Sequence, residues 1–147
     1  MKVKIKKLNE EAVLPYKTYE RDFCYDVVAT SCEEIAPNVW KYGIGLAFEI
    51  DVPDDIRHYN LSIDFRPRSS VWKTGMVLSN CEGTIDELFR GEVSAVFYHV
   101  LTNMPRYDVG DRIGQIKLGW TRPIEFVEVD ELSESERGIG GYGSTGK

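Results

Sequence analysis

Alternation of apolar and polar residues at period two is the feature that most limits how this chain can fold. Leu61, Ile63 and Phe65 interleave with Ser62, Asp64 and Arg66; Leu46, Phe48 and Ile50 form a second run, and Val3 and Ile5 stand between lysines. Successive side chains of a strand point to opposite faces, so each run reads as a strand with one buried face. Further β-rich runs are YDVVAT (25–30), MVLS (76–79), VSAVFYHVL (93–101), RIGQIKL (112–118) and IEFVEV (124–129), divided by Pro, Gly, Asn and Asp clusters. Helical periodicity is nearly absent, apart from one turn expected at Asp86–Phe89. Eight or more short strands predict an all-β, single-domain fold, a jelly-roll-like β-barrel. A chain of 147 residues suits one core. After Val129 the sequence turns acidic (DELSESE) and ends in RGIGGYGSTGK, which has too few apolar groups to be core. The expected organisation is a barrel over residues 1–130 and a flexible, glycine-rich arm over 131–147.

Net charge narrows the partners. At −6 the chain is a poor match for duplex nucleic acid, whose affinity comes from neutralising many phosphates with Lys and Arg. One small anion remains open to it, since a local group of arginines and a divalent metal would offset the overall field. Three cysteines, Cys24, Cys32 and Cys81, show no CxxC spacing and cannot all pair, so neither a zinc site nor a disulfide framework is expected and a reducing, cytoplasmic setting fits. The N-terminal MKVKIKKLNEE is charged, and no run reaches the length of a membrane span. No membrane partner is expected.

Two phosphate-binding fingerprints occur in the tail. Gly138, Gly140 and Gly143 satisfy GxGxxG, and Gly141–Lys147 satisfies GxxxxGK. Both mechanisms need a strand before and a helix after, with the helix N-terminus facing the phosphate, and no such helix follows. What survives is a glycine-rich backbone with Arg137, Ser144 and Thr145, groups suited to anionic oxygens. Composition alone reads the same segment equally as an unordered terminus.

Elsewhere each signal has a plainer reading beside the chemical one. Arg68, Ser69 and Ser70 follow Pro67 where a guanidinium and hydroxyls would hold a phosphate, or simply form a surface loop. Asp111 and Arg112 in YDVGDRIGQ suit a turn aspartate and a solvated arginine. Asp86 would deprotonate water if it faced a cleft, and is otherwise a turn residue. His58 and His99 lack partners at metal-ligand spacing, and Trp40, Trp72 and Trp120 read as packing or interface groups.

The order of these segments resembles the trimeric dUTP diphosphatase (dUTPase) family at five successive places. FCYDVVA (23–29) is similar to AGYDL, matching at Tyr25 and Asp26, and PRSS (67–70) is close to PRSG. NCEGTIDELFRGEV (80–93) is close to N-x-x-G-x-I-D-x-D-Y-x-G-E, GDRIGQI (110–116) to GDRIAQL, and RGIGGYGSTG (137–146) nearly reproduces RGxGGFGSTG. The match extends from residue 23 to the C-terminus with one apparent one-residue deletion near Val71–Lys73. Departures are Cys24 for Gly, Ser70 for Gly, Leu88 for an acid, Phe89 for Tyr and Tyr142 for Phe.

The resemblance implies an enzyme that splits dUTP into dUMP and pyrophosphate by water attack at the α-phosphorus, keeping uracil out of DNA and supplying dUMP for thymidylate synthesis. Asp86 is then the general base. Arg68, Ser69, Ser70 and Gln115 contact phosphates; Asn80 and the backbone of Gly83, Thr84 and Ile85 read uracil, and Phe89 lies against deoxyribose. Arg137, Gly143, Ser144 and Thr145 hold the outer phosphates, with Tyr142 stacked over the base; Asp26, Asp111 and Arg112 support. Mg²⁺ is expected to be held by triphosphate oxygens and water, without direct protein ligands. A homotrimer with sites shared between subunits is implied as well. The alternatives are a dCTP deaminase of similar fold and a dUTP-binding regulatory module.

Overall fold

The computed structural model describes residues 1–80 and 82–141. Its frame is the pairing of an alternating segment with the β-rich run near the C-terminal end of the barrel. β6 (Asn60–Arg66) and β10 (Arg112–Thr121) run antiparallel in continuous register from Gln115↔Arg66 to Thr121↔Asn60. Directly opposed residues share a face, so Leu61, Ile63, Phe65, Ile116 and Leu118 lie on one side, and Ser62, Asp64, Arg66, Gln115 and Lys117 on the other. β2 (Tyr25–Val28) joins the far edge of β10, and β8 (Gly83–Asp86) joins β6, giving a four-stranded sheet β2-β10-β6-β8.

A second four-stranded sheet, β3-β4-β9-β7, is built from β3 (Ser31–Ala36), β4 (Val39–Gly43), β7 (Met76–Leu78) and β9 (Ser94–His99). β1 (Lys2–Lys7) and β5 (Leu46–Asp51) form a separate antiparallel pair. The apolar faces close on one core. Phe65 of the first sheet meets Phe97 of the second edge-on at 6.4 Å, and Phe97 in turn meets Tyr42 and Tyr107 at 5.9 and 5.6 Å. Edge-to-face contact sets the negative face of one ring against the positive edge of another. The expected all-β, jelly-roll-like architecture is present.

Strands expected around residues 3–5, 25–30, 46–50, 61–65, 76–79, 93–101 and 112–118 all form, although three end one or two residues early. The turn at Asp86–Phe89 is also present, closed by the Phe89 amide donating to the Asp86 carbonyl at 3.0 Å. The strand expected at 124–129 does not form in the single chain. Ile124, Phe126 and Val127 are exposed, Phe126 by 90%, and the segment has no β partner among the described residues, so its alternating side chains find no sheet to bury against.

Two devices shape the first sheet, one on each face. Burial alone would raise the Asp64 carboxyl, but hydrogen bonds from Lys117 and Ser62 outweigh it and hold the group below the usual carboxylate range. At Gly114, where the resembling pattern GDRIAQL has Ala, an added Cβ would overlap the Phe65 ring and approach the Arg66 carbonyl at 2.8 Å. The Phe65 ring thus occupies the room an alanine methyl would take. Gly114→Ala should destabilise the protein by about 1–3 kcal/mol through overpacking. The double variant Gly114→Ala/Phe65→Leu should lose less than the sum of the single changes in denaturant unfolding; strict additivity would show that the ring does not hold this position.

Candidate functional site

Asp26 gathers the arginines. It sits on β2 opposite Gln115, 5% exposed, on the polar side of the sheet. Gln115 donates through Nε2 to Oδ1 at 3.0 Å, Arg112 through Nη1 to Oδ2 at 2.9 Å, and Arg68 Nε lies 3.3 Å from Oδ1. The last contact is an ion pair without hydrogen-bond geometry, because Arg68 Nε has no hydrogen-bond partner among the described residues. A buried carboxylate needs such compensation, and two guanidiniums supply it while keeping other N–H groups free to face outward.

Arg68 caps the N-terminal end of a 3₁₀ turn, Ser69–Thr74. Ser69 is exposed and Ser70 half-buried, so both hydroxyls stand at the rim beside Arg68. Ser70 and Cys24, which replace glycines of the resembling pattern, cost no backbone strain: among the described non-glycine residues only Asn38 has a positive φ. Asp111 is a turn residue whose Oδ2 accepts from the Asp108 amide at 2.8 Å, while its neighbour Arg112 is bound to Asp26 and is not the solvated arginine of the plainer reading.

A second group lies on the hairpin that follows. Gly83, Thr84, Ile85 and Asp86 make up β8, which pairs only with β6 and forms the edge of its sheet. The outward-facing N–H and C=O groups of this strand are therefore open to a ligand. The Asn80 side chain lies over Gly83, its Nδ2 3.4 Å from where a Cβ would stand. Phe89 packs on Gly91, where an added Cβ would come within 2.6 Å of the ring. Thr84, Ile85, Asp86, Phe89 and Glu92 line a shallow depression of about 190 Å³. Glu92 went unassigned in the sequence reading although the R-G-E of the third segment contains it; it accepts from the Gly45 amide at 2.8 Å and ties the hairpin to the β4–β5 connection. Asp86 is exposed and takes no part in the ion pairs found among the described residues. A roomier depression of about 290 Å³, lined by Val3, Ile5, Phe48 and Leu118, contains none of the candidate residues.

The sheet register fixes how far apart the two groups lie. Asp86 is opposite Ser62, whereas Gln115 is opposite Arg66, four residues and about 13 Å along the same strand. From β8 to β2 there are three strand spacings, about 14 Å. Asp86 and the Asp26 cluster thus occupy diagonal corners of one sheet, about 19 Å apart. Among the described residues the arm joins neither: Arg137 donates to the Gly140 carbonyl at 2.9 Å and Gly138 to Ser135, both within the arm. Tyr142, Gly143, Ser144 and Thr145 lie outside the described residues.

A family model described as dUTPase matches residues 10–146. The chain belongs to the dUTPase family. A deoxyuridine 5'-triphosphate nucleotidohydrolase of Nautilia profundicola is 37% identical over the full length of both chains, and one of Helicobacter pylori is 34% identical over 99% of this chain and 97% of its own. Among solved structures, a mutant dUTPase of Staphylococcus bacteriophage 80alpha with dUpNHpp aligns at a TM-score of 0.77 over 99% of each chain, with 22% identity. A mutant dUTPase of phage phi11 of S. aureus, described with a structural Mg(II) ion, aligns at 0.69 over 91% of this chain and 100% of that one, with 18% identity. These two likenesses support the β architecture.

In this dUTPase-family chain the Asp26 cluster is a structural element, tying β2 to β10 and to the turn that begins at Arg68. Asp26→Asn, which replaces an acceptor oxygen with an NH₂ facing cations, should lower stability by about 1–3 kcal/mol. Chemical denaturation checks this, and an unchanged midpoint would show that the arginines hold themselves in place without the charge.

Proposed function

We propose that the protein hydrolyses dUTP to dUMP and pyrophosphate, in a site that combines the Asp86 hairpin of one subunit with the Arg68 cluster of another. The observation that carries the reading is the open edge of β8. A uracil ring presents an acceptor–donor–acceptor edge, which backbone N–H and C=O groups of Gly83–Asp86 can match and which cytosine inverts at two of its three positions. Pairing lost on the wrong base leaves polar groups desolvated and unsatisfied, the basis of strong discrimination. Asn80 closes one end of this hairpin, and Phe89, held flat by Gly91, offers a face to the deoxyribose.

Asp86 then acts as the general base. Its carboxylate is solvent-facing and, among the described residues, in no ion pair, so it can accept a proton from a water and aim that water at the α-phosphorus. Arg68, Arg112, Ser69, Ser70 and Gln115 supply donors for phosphate oxygens, and charge developing on the departing pyrophosphate meets fixed positive groups. The segment 131–147 acts as an arm that closes over the triphosphate, bringing Arg137, Tyr142, Gly143, Ser144 and Thr145 to it. Asp111 shapes the turn before Arg112.

The donors present fit Mg²⁺ carried in on the substrate. Among the described residues no group of three or more His, Cys, Asp or Glu could cage a metal, and the Asp26 oxygens are already engaged. Bound through triphosphate oxygens and water, the ion would neutralise phosphate charge. No described helix is long and apolar enough to cross a membrane, and a cytoplasmic setting fits a nucleotide substrate.

With Mg²⁺, the protein should release pyrophosphate from dUTP and act poorly on dCTP, dTTP and UTP. Ammonia from dCTP would instead support a deaminase, and tight dUTP binding without product a regulator. Asp86→Asn should bind dUpNHpp nearly as the unaltered chain does but turn dUTP over at least about a hundredfold more slowly. Wild-type turnover would remove Asp86 from the mechanism.

The diagonal separation supports the subunit arrangement, since about 19 Å exceeds what one extended triphosphate bridges together with its base contacts. A closed homotrimer satisfies this with three equivalent sites. Asp86→Asn and Arg68→Ala should each be inactive alone, while co-refolded mixtures regain activity at sites pairing the intact Asp86 of one chain with the intact Arg68 of another. Mixtures as inactive as their components would place each site within a single chain.

A further inference from the structure

Glu92 is an exposed residue whose carboxylate nevertheless has a place made for it. Its Oε1 accepts from the Gly45 amide at 2.8 Å, and a Cβ on Gly43 would stand 2.4 Å from the same oxygen. Gly43 is paired on both sides, with Ser31 and Ser94, and has no positive φ, so its backbone does not call for glycine. The space does. Glycine weakens a strand, and here the chain gives up strand propensity at a buried position to seat a side chain from another segment.

Anchoring β9 does not account for this seat. Val93, the next residue, is 2% exposed, donates its amide to the Leu46 carbonyl at 2.9 Å and accepts from the Ile44 amide at 3.2 Å. What Glu92 adds lies before it in the chain. Gly91 backs the Phe89 ring, where an added Cβ would come within 2.6 Å, and Phe89 and Glu92 line one depression with Asp86. The loop between Asp86 and Glu92 closes on itself: the Phe89 amide donates to Asp86, and Arg90 Nη1 to the Glu87 and Phe89 carbonyls at 2.6 and 3.0 Å. Glu92 ties the C-terminal end of that loop to the body of the protein.

We propose that Glu92, seated by Gly43, is a positioning residue for sugar selectivity: it holds Gly91 behind the Phe89 ring and so sets how closely that ring lies on the sugar. A ring held against C2′ leaves a 2′-hydroxyl desolvated and unpaired, which penalises a ribonucleotide. A ring free to tilt away lets water reach the hydroxyl, and the penalty shrinks. This rests on the reading of Phe89 as the face met by deoxyribose.

The test is the ratio of kcat/KM for dUTP to that for UTP, measured with Mg²⁺ on the full chain. Lost stability or a smaller active fraction scales both substrates alike and leaves this ratio unmoved. Glu92→Ala should lower it about tenfold, the scale of one hydroxyl relieved of an unsatisfied state. Glu92→Gln, which keeps an acceptor oxygen at the same reach, should restore most of the preference. Gly43→Ala displaces the carboxylate while altering no residue that lines the depression; it should lower the ratio likewise, and should cost nothing further in a Glu92→Ala background. An unchanged ratio in Glu92→Ala, an equal loss in Glu92→Gln, or a Gly43→Ala effect that persists in full without Glu92 would overturn the positioning role while dUTP hydrolysis stands. Failure of the unaltered chain to hydrolyse dUTP would overturn the functional reading and this inference with it.

Discussion

The register between β6 and β10 is the constraint on which the rest of this structure depends. Because side chains alternate strictly, fixing Ile116 opposite Phe65 fixes Gln115 opposite Arg66 and Lys117 opposite Asp64. One face becomes core; the other becomes a polar floor that carries Asp26 at one corner and Asp86 at the diagonal one. A slip of one residue would put Asp64 and Lys117 into the Phe65–Phe97 contact and Ile63 into water. The buried charges thus reinforce the register that the apolar residues set.

Both buried acids illustrate how such a floor is kept stable. Asp64 is neutralised by one lysine and one serine, Asp26 by two arginines and a glutamine. The pairs differ in what they leave over. Lys117 spends its charge on Asp64, with both side chains largely shielded, and this ion pair is purely architectural. Arg68 and Arg112 are more open and bring two positive charges to one negative. The net positive corner that results lies within a chain of net charge −6, and in the proposed function this local surplus, not the overall field, is what draws an anion there.

What could be read from the sequence follows from how each element earns its burial. Strands with one apolar face, such as Leu61–Phe65 and Leu46–Ile50, announced themselves by alternation. β3 could not, because Glu33, Glu34 and Ile35 are all exposed and the strand is held by backbone pairing to β4. β8 is only four residues long and includes Gly83, so its strand character comes from β6 and not from propensity. The run 124–129 alternates as a strand should, yet alternation records a preference and not a partner, and the single chain offers none. Ordered motifs singled out Asp86, Arg68 and Asp26 as candidates, whereas the tie from Glu92 to Gly45 and the Phe65–Gly114 exchange emerge only when segments distant in sequence are brought together.

The separation of Asp86 from the arginines has a chemical reason beyond assembly. A carboxylate placed beside Arg68 and Arg112 becomes what Asp26 is, an ion-paired group whose oxygens are already engaged by donors. Kept about 19 Å away on its own chain, Asp86 stays solvated and available. In the proposed mechanism the arriving triphosphate, whose negative charge takes up the arginines, lets base and cations share one site. In the proposed arrangement the substrate's own charge therefore completes the site, and the catalytic carboxylate and the phosphate-binding cations act together only while substrate stands between them.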